Sequence, residues 1–389
     1  MRTLEADVAI VGGGIMGTAT ALFLQRKGKR AVVLERGALA AEASGLNGGG
    51  VRQQGRQLPE IELARRAVEL WGRLDDLTGQ PTGYRRVGNL MLARNDAEME
   101  MLAEQRRREQ TVGLETELLE ARQLRELAPG LAPDTFVGGK LCPTDGHTLP
   151  GQTTQAIIEA ARAAGAELYP DNRVIEVGVS QGRVAYIQSA DLRVEAPVVL
   201  NAAGPWAPYI SQLVDVYLPI FPTRAHQLMT PPMELTTGPF IITAAWDFGG
   251  SQHADGRMQF GGGDVLDDRG RVTFSKQILQ WRVEEIKRRA SRIFPALGGT
   301  PLERVWVGTY ECTPDMMPIV GPVEAPEGFF VCAGFSGHGF CLGPLMGRLM
   351  AEWIADGKPS CDLSSFHYQR FQPPTGSGSL PNHAVQRPG

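Results

Sequence analysis

The stretch "ADVAIVGGGIMGTATALFLQRKGKRAVVLERG", Ala6 to Gly37, leaves few folds open. An apolar run, Asp7–Val11, meets Gly12, Gly14 and Gly17 in the spacing G-x-G-x-x-G. A helix rich in small and apolar residues follows (Ala19, Ala21, Leu22, Leu24) and stops at Gly28. A second strand, Ala31–Leu34, then delivers Glu35. Gly12 permits a tight turn, Gly14 lets backbone approach a pyrophosphate, and Gly17 lets the helix pack on the strand. The start of the helix offers unpaired N–H groups and a partial positive charge to phosphate. An acid at Glu35 accepts from a ribose diol and repels a 2′-phosphate. The expectation is a dinucleotide site that disfavours NADP, and the motif alone does not separate FAD from NAD.

The chain has 389 residues, enough for two domains, and ordinary proportions of apolar (42%) and charged (21%) residues. A formal net charge of -4 gives no electrostatic case for nucleic acid. Cys142, Cys312, Cys332, Cys341 and Cys361 form no CxxC pair, which predicts reduced thiols in a cytosolic setting. The opening "MRTLEADVAIVGGG" reads as a strand rather than a signal peptide, and no run of 18 apolar residues predicts a membrane span.

Along the chain, a second bare cluster, "SGLNGGGVRQQ" (Ser44–Gln54), precedes two helical patterns. In the second of these, Arg106–Arg108 between Glu104 and Glu109 read as a solvated face. A turn and helix after "DGHTLP" lead to a meander and a buried apolar strand, Val198–Asn201, that ends in "AAG". Residues 216–305 change to short strands and one long helix, which suggests an inserted antiparallel unit. The final "QPPTGSGSLPNHAVQRPG" is compositionally a disordered or surface-draped tail.

The segments "VAIVGGGIMG", "ASGLNGGGVRQQ", "VVLNAAGPWA", "TPDMMPIVGP" and "AGFSGHGFCLGP", in this order, resemble the D-amino-acid oxidase superfamily of flavoproteins. The likeness is closer to glycine oxidase, monomeric sarcosine oxidase and the beta subunits of sarcosine, opine and D-hydroxyproline dehydrogenases. It implies an α/β fold in which a Rossmann-like FAD-binding domain is interleaved with an antiparallel α+β substrate domain. The expected division is 1–55, 145–215 and 305–360 for the cofactor and 56–144 and 216–304 for the substrate, with 361–389 as a C-terminal tail, extended or disordered at its end. It also implies FAD. Gly12, Gly14, Ile15, Met16 and Gly17 would hold the pyrophosphate, Glu35 and Arg36 the adenosine end, and the Val174 backbone the adenine. Ser44, Asn47, Gly48 and Gly49 would run along the pyrophosphate and flavin, with Ala203 and Gly204 opposite. Gly334, Gly337, His338, Gly339 and Phe340 would bring a helix N-terminus to the flavin pyrimidine edge, where reduction gathers negative charge.

Oxidation of an amine by a flavin needs a positioned substrate and no nucleophile or metal. A carboxylate-bearing substrate needs a fixed cation, and an arginine binds it bidentately. Arg52, leaving the second glycine cluster, is the expected cation, and Tyr310 and Trp246 are expected on the pocket wall or in the core. His338 either touches flavin or substrate or packs beneath the ring; His147 is read as a site residue or a turn residue. Three departures from monomeric sarcosine oxidase matter. Gly308 stands near the position of its flavin-linking cysteine, and Cys312 is no obvious substitute. Gln259 and Cys341 stand where it has lysines. These favour a dehydrogenase passing electrons to partner redox subunits, cytoplasmic or peripheral through those partners. A peroxide-forming oxidase and a flavin-bearing structural subunit are the alternatives.

Overall fold

The computed structural model describes residues 1–234, 236–262 and 274–371. Its centre is a six-stranded sheet in the order Ile319–Pro322, Phe329–Ala333, Val199–Asn201, Val8–Val11, Ala31–Leu34, Glu167–Tyr169. The last five run parallel, and Ile319–Pro322 is an antiparallel edge. Val8–Val11 and Ala31–Leu34 are buried at every position because both faces are covered. Side chains alternate between two cores. Val8, Ile10, Ala31 and Val33 face the helices Ile15–Arg26, Pro150–Ala163 and Gly339–Asp356. Ala9, Val11, Val32 and Leu34 face a four-stranded sheet built from Arg2–Glu5, Leu192–Glu195, Arg183–Gln188 and Glu176–Ser180.

Helices Ile15–Arg26 and Gly339–Asp356 cross at backbone distance. A Cβ built on Gly347 would lie 2.4 Å from the Ala19 Cβ, and one on Gly343 would lie 2.8 Å from Ile15. Small residues at this four-residue spacing therefore set the angle at which the last long helix meets the first.

The second layer is an eight-stranded sheet, in the order Arg304–Cys312, Phe221–Pro232, Arg257–Gly261, Gly249–Gln252, Phe240–Thr243, Asn89–Ala93, Gly138–Cys142, Glu117–Glu120. All neighbours are antiparallel except Phe240–Thr243 with Asn89–Ala93. Helix Gln280–Ile293 buries Val283, Ile286, Ala290 and Ile293, one face at helical spacing, against Leu90, Leu228 and Phe260 of this sheet.

Two features depart from the expected division. The return to the cofactor unit, placed at 305, comes after Cys312: Arg304–Cys312 pairs along its whole length with the large sheet, from Met229↔Arg304 to Phe221↔Cys312. Helix Leu58–Trp71, placed in the substrate unit, contributes Leu63, Ala64, Ala67, Val68 and Trp71 to the cofactor-side core. The start of the tail expected from 361 packs on the protein. Ser364–Phe366 and Tyr368–Phe371 form two short 3-10 turns, Phe366 is buried, and Arg370 reaches Asp315 at 2.7 Å. The Pro/Gly/Ser-rich remainder, 372–389, lies outside the described residues.

The buried Trp71 Nε1 donates to the Cys341 carbonyl at 2.7 Å, tying helix Leu58–Trp71 to the first turn of helix Gly339–Asp356. Trp71→Phe leaves that carbonyl without its donor and is expected to cost about 1–3 kcal/mol, read as a lower midpoint at unchanged slope in urea unfolding.

Candidate active site

At the C-terminal ends of the parallel strands a cavity of about 1770 Å³ opens between the two layers. That is the position where open α/β sheets bind ligands. Gly12 has φ 113°, and a Cβ there would lie 2.4 Å from the Ala202 carbonyl oxygen, so two strand ends meet through bare backbone. A Cβ on Gly17 would lie 2.0 Å from the Gly12 carbonyl. Glu35 fixes this loop: one carboxylate oxygen accepts from the Gly13 N–H at 2.7 Å and the other from the Gly37 N–H at 2.9 Å. Ser44 Oγ accepts from the Ile15 N–H at 2.9 Å, so the second glycine segment caps the first helix. Arg36 lies 3.4 Å from the Trp206 ring centroid, flanking the same end of the cavity as Val174.

The second segment begins as a short helix, Ala43–Leu46. Asn47 then bends it, its Nδ2 donating to the Ala43 carbonyl at 2.9 Å and its Oδ1 accepting from the Gly49 N–H at 2.8 Å. This turns Gly48 to the cavity wall. Gly49, at φ 75°, makes room for something else: a Cβ would lie 2.1 Å from the Thr148 carbonyl oxygen. Beneath the turn, Gln259 Nε2 donates to the Asn47 carbonyl at 2.8 Å.

Arg52 is buried on the cavity wall, its guanidinium 4.8 Å from the Trp246 ring centroid. Its Nη1 donates to the Gln54 carbonyl and, at 3.1 Å, to that of Gly55. Burial, and then neighbouring Arg56, lowers the Arg52 guanidinium to about 10, which leaves it charged at neutrality. Trp246 holds φ 57°, a backbone conformation that a bulky residue adopts only when its surroundings impose it. Met316 and Ser336, also on the wall, share that left-handed conformation.

The loop carrying Arg52 is anchored by buried acids. Gln53 donates its N–H and its Nε2 to Asp145, each at 2.8 Å, and burial pushes that carboxyl up to about 6. The Gly55 N–H donates to Glu109 at 2.6 Å, whose other oxygen accepts from Lys140 Nζ at 2.6 Å. Arg56 Nε donates to the Arg52 carbonyl at 2.8 Å, and its Nη1 stands 3.6 Å from Glu60. Glu60 in turn meets His338 Nδ1 at 3.0 Å. Cys341 Sγ donates to the Arg52 carbonyl at 3.4 Å, closing the circle.

Of the residues expected from sequence, the cavity is lined by Gly12, Gly14, Ile15, Met16, Glu35, Arg36, Ser44, Asn47, Gly48, Arg52, Val174, Ala203, Gly204, Tyr310, Gly337, His338, Gly339 and Phe340. Gly17, Gly49 and Gly334 do not line it. Their missing side chains admit Gly12, Thr148 and Thr313 respectively. His147 does not line it either. It sits in the strand Gly146–His147 paired with Gly50–Val51, and burial, then His253, drives its imidazole down to about 3. Trp246 lines the cavity and is exposed rather than core.

Sequence reading missed Arg56, Glu60, Glu109, Lys140 and Glu311, all buried or on this wall. Arg56 and Glu60 are an i,i+4 pair, a spacing that reads as a surface bridge. Glu109 was expected on a solvated face; it is buried, because helix Asp96–Gln110 turns its last residues to the cavity while Arg107 stays outside with Glu100 and Glu104. Arg108 also lines the cavity.

Two stretches of bare glycine backbone, an acid at the end of the second parallel strand and a helix N-terminus meet at one long cavity, the arrangement of a doubly wound dinucleotide-binding fold. The family model for FAD dependent oxidoreductases, DAO, matches residues 7–353, and the chain belongs to that family. It is 27% identical to glycine oxidase of Geobacillus kaustophilus (strain HTA426), covering 95% of this chain and 98% of that one. It is 28% identical to the mitochondrial pyruvate dehydrogenase phosphatase regulatory subunit of Mus musculus, over 98% of this chain and 45% of that protein. The chain spans less than half the length of the mitochondrial relatives that it matches. The crystal structure of L-proline dehydrogenase from P. horikoshii superposes with a TM-score of 0.89 at 25% identity, covering 95% of this chain and 98% of that one. FAD fits the cavity on the protein's own evidence: Gly12, Gly14 and Gly48 present bare backbone along one long cavity that also meets the start of helix Ile15–Arg26.

Gly14→Val is expected to lower bound flavin, measured as flavin absorbance after gel filtration, since Gly14 lines the cavity in an ordinary extended conformation and its Cβ would meet the Ser44 Oγ at 2.9 Å. Lys140→Met leaves the buried Glu109 carboxylate without its cation and is expected to cost about 3–5 kcal/mol in equilibrium unfolding.

Proposed function

We propose that the protein is an FAD-dependent dehydrogenase that oxidises the C–N bond of an amino acid or secondary amine bearing a carboxylate. The observation that carries this reading is the buried Arg52 guanidinium on the cavity wall, stacked on Trp246 and held by two carbonyls. A cation so placed costs desolvation and is retained where an anion must be oriented. Bound FAD would supply the acceptor for the two electrons of the oxidation. This chain's residues would do the rest: Arg52 takes the substrate carboxylate, Trp246 and Tyr310 wall the alkyl part, and the N-terminus of helix Gly339–Asp356 faces developing negative charge.

Support for a dehydrogenase over an oxidase comes from below the second glycine segment. Gln259 bonds to the Asn47 carbonyl there, and its neighbour His253 is lowered by burial, so both groups are neutral. Gln259, an uncharged side chain, stands where the resemblance places a lysine that would assist oxygen reduction. Electrons would pass to a partner subunit or another acceptor. The likeness to a phosphatase regulatory subunit gives a second reading, a flavin-bearing subunit without catalysis.

Anaerobic flavin bleaching against sarcosine, glycine, L-proline, D-proline, D-hydroxyproline, octopine and nopaline decides between them. Bleaching by one or more is expected, and none by any would favour the non-catalytic reading. Rapid peroxide formation in air by the isolated chain would favour the oxidase. Arg52→Ala is expected to raise KM for the active amine by at least tenfold, with flavin content retained; an unchanged KM removes Arg52 from the site.

A further inference from the structure

Amine oxidation has a requirement that the arginine does not meet. In neutral water the substrate amine is an ammonium, and it must lose a proton before its nitrogen lone pair can assist departure of the Cα hydride. A group that accepts this proton has to be neutral, buried near the carboxylate site, and held in one tautomer.

Glu60 and His338 meet these conditions in the structure. Glu60 opens helix Leu58–Trp71 and is fully buried; His338 immediately precedes helix Gly339–Asp356, and its ring lines the cavity. Both carboxylate oxygens lie within hydrogen-bond reach of the same ring nitrogen, Nδ1, at 3.0 and 3.2 Å. A carboxylate only accepts, so Nδ1 carries the proton and donates it to the bond. Nε2 is then the nitrogen with a lone pair. The pair is joined to the substrate cation through Arg56, which reaches Glu60 at 3.6 Å and the Arg52 carbonyl at 2.8 Å.

We propose that Glu60 is a positioning residue that locks His338 as the Nδ1–H tautomer, making Nε2 the acceptor for the proton of a substrate ammonium. The role rests on the amine-oxidising reading above. In the step, one N–H bond of the ammonium breaks and one N–H bond forms at Nε2. The substrate gains a neutral amine, the ring gains the positive charge, and nothing is oxidised or reduced. The Glu60 carboxylate stabilises the imidazolium so formed.

The charged and titratable groups around His338 agree with a ring that rests neutral. Glu60 faces it from helix Leu58–Trp71, Arg52 and Arg56 from the preceding loop, Tyr310 lies beside Gly337, and Cys341 follows on the same helix. Burial pushes the imidazolium down, Glu60 pulls it up, and the two arginines tip it below its ordinary value. For Glu60, burial alone would raise the carboxyl; the hydrogen bond from His338 Nδ1 and the charges of Arg56 and Arg52 act against it.

Two measurements on the flavin-loaded protein test this. Imidazole nitrogen NMR of 15N-histidine protein should show His338 as the Nδ1–H tautomer in wild type and a mixed tautomer in Glu60→Gln; an Nε2–H tautomer in wild type overturns the proposal. Anaerobic flavin reduction by sarcosine, glycine and L-proline, scanned over pH, should show an acid limb set by His338. Removing the Glu60 charge takes away what raises the ring, so in Glu60→Gln the limb should move down by about one pH unit. The plateau should also fall by roughly 100-fold. Glu60→Asp should restore the limb, and His338→Gln should abolish it. A lower plateau in Glu60→Gln with an unmoved limb would mean that Glu60 only supports the fold, and the proposal fails. Reduction by none of the seven amines of the panel above would overturn the reading on which the role rests, whereas the tautomer result still reports on the pair itself.

Discussion

Between Arg52 and Arg56 the chain passes through the interior carrying two guanidinium groups, and the arrangement of the site depends on how that charge is held. Asp145, Glu109 and Glu60 come from three separate elements, and each takes one part of the loop: Gln53, Gly55 and Arg56. A buried charge without a partner costs several kcal/mol, and so does a buried carboxylate. Brought together, each satisfies the other, and the loop has one conformation that does so. Lys140 completes the count by neutralising Glu109, which otherwise would serve only a backbone N–H. This is pre-organisation in the sense that matters for binding: the bonds that fix these side chains are made within the protein.

The same loop joins the two layers. Arg52 faces Trp246 beside the large sheet, while its carbonyl accepts from Cys341 on the last long helix of the cofactor side. Trp71 ties that helix to helix Leu58–Trp71, which also carries Glu60. A chain segment that sequence order assigns to the substrate unit is thus structurally part of the cofactor unit. Interleaving of this kind keeps the distance between the first glycine loop and Arg52 fixed by packed helices, not by a hinge.

The cofactor cradle was legible in the sequence because its constraints are local. Strand, glycine turn, helix, strand and acid follow one another within the first 35 residues, and each residue type has a backbone reason to stand there. Arg52 was legible through its place after a glycine cluster. Glu60 and Glu109 were not, because burial of a charged side chain is decided by partners far away in the chain: His338 for one, Lys140 for the other. Helical spacing alone assigns such residues to solvent, and it is right for Arg107 two residues away from Glu109. The glycines mislead in the opposite direction. Gly48 turns to the cavity, whereas Gly49 is bare because the Thr148 carbonyl occupies the space. Pattern cannot tell a glycine that admits a ligand from one that admits the protein's own backbone.

The charge states across the cavity form a consistent division. An arginine tolerates burial with its charge intact, since even at about 10 Arg52 remains protonated at neutral pH. A histidine does not, and His147, His253 and His338 all fall below the ordinary imidazole value on burial. The loop from Arg52 to Arg56 therefore holds permanent positive charge on the cavity wall, beside a His338 imidazole that burial and these arginines keep low. Only His338 has a carboxylate at hydrogen-bond distance among these three, so only there is a transient positive charge stabilised. A neutral ring with a buried anion behind it can accept a proton and return it; a neutral ring without one is held to its resting state. That asymmetry follows from the placement of Glu60 at the start of helix Leu58–Trp71, one turn after Arg56, and it makes a helix start far from the glycine motifs part of the site.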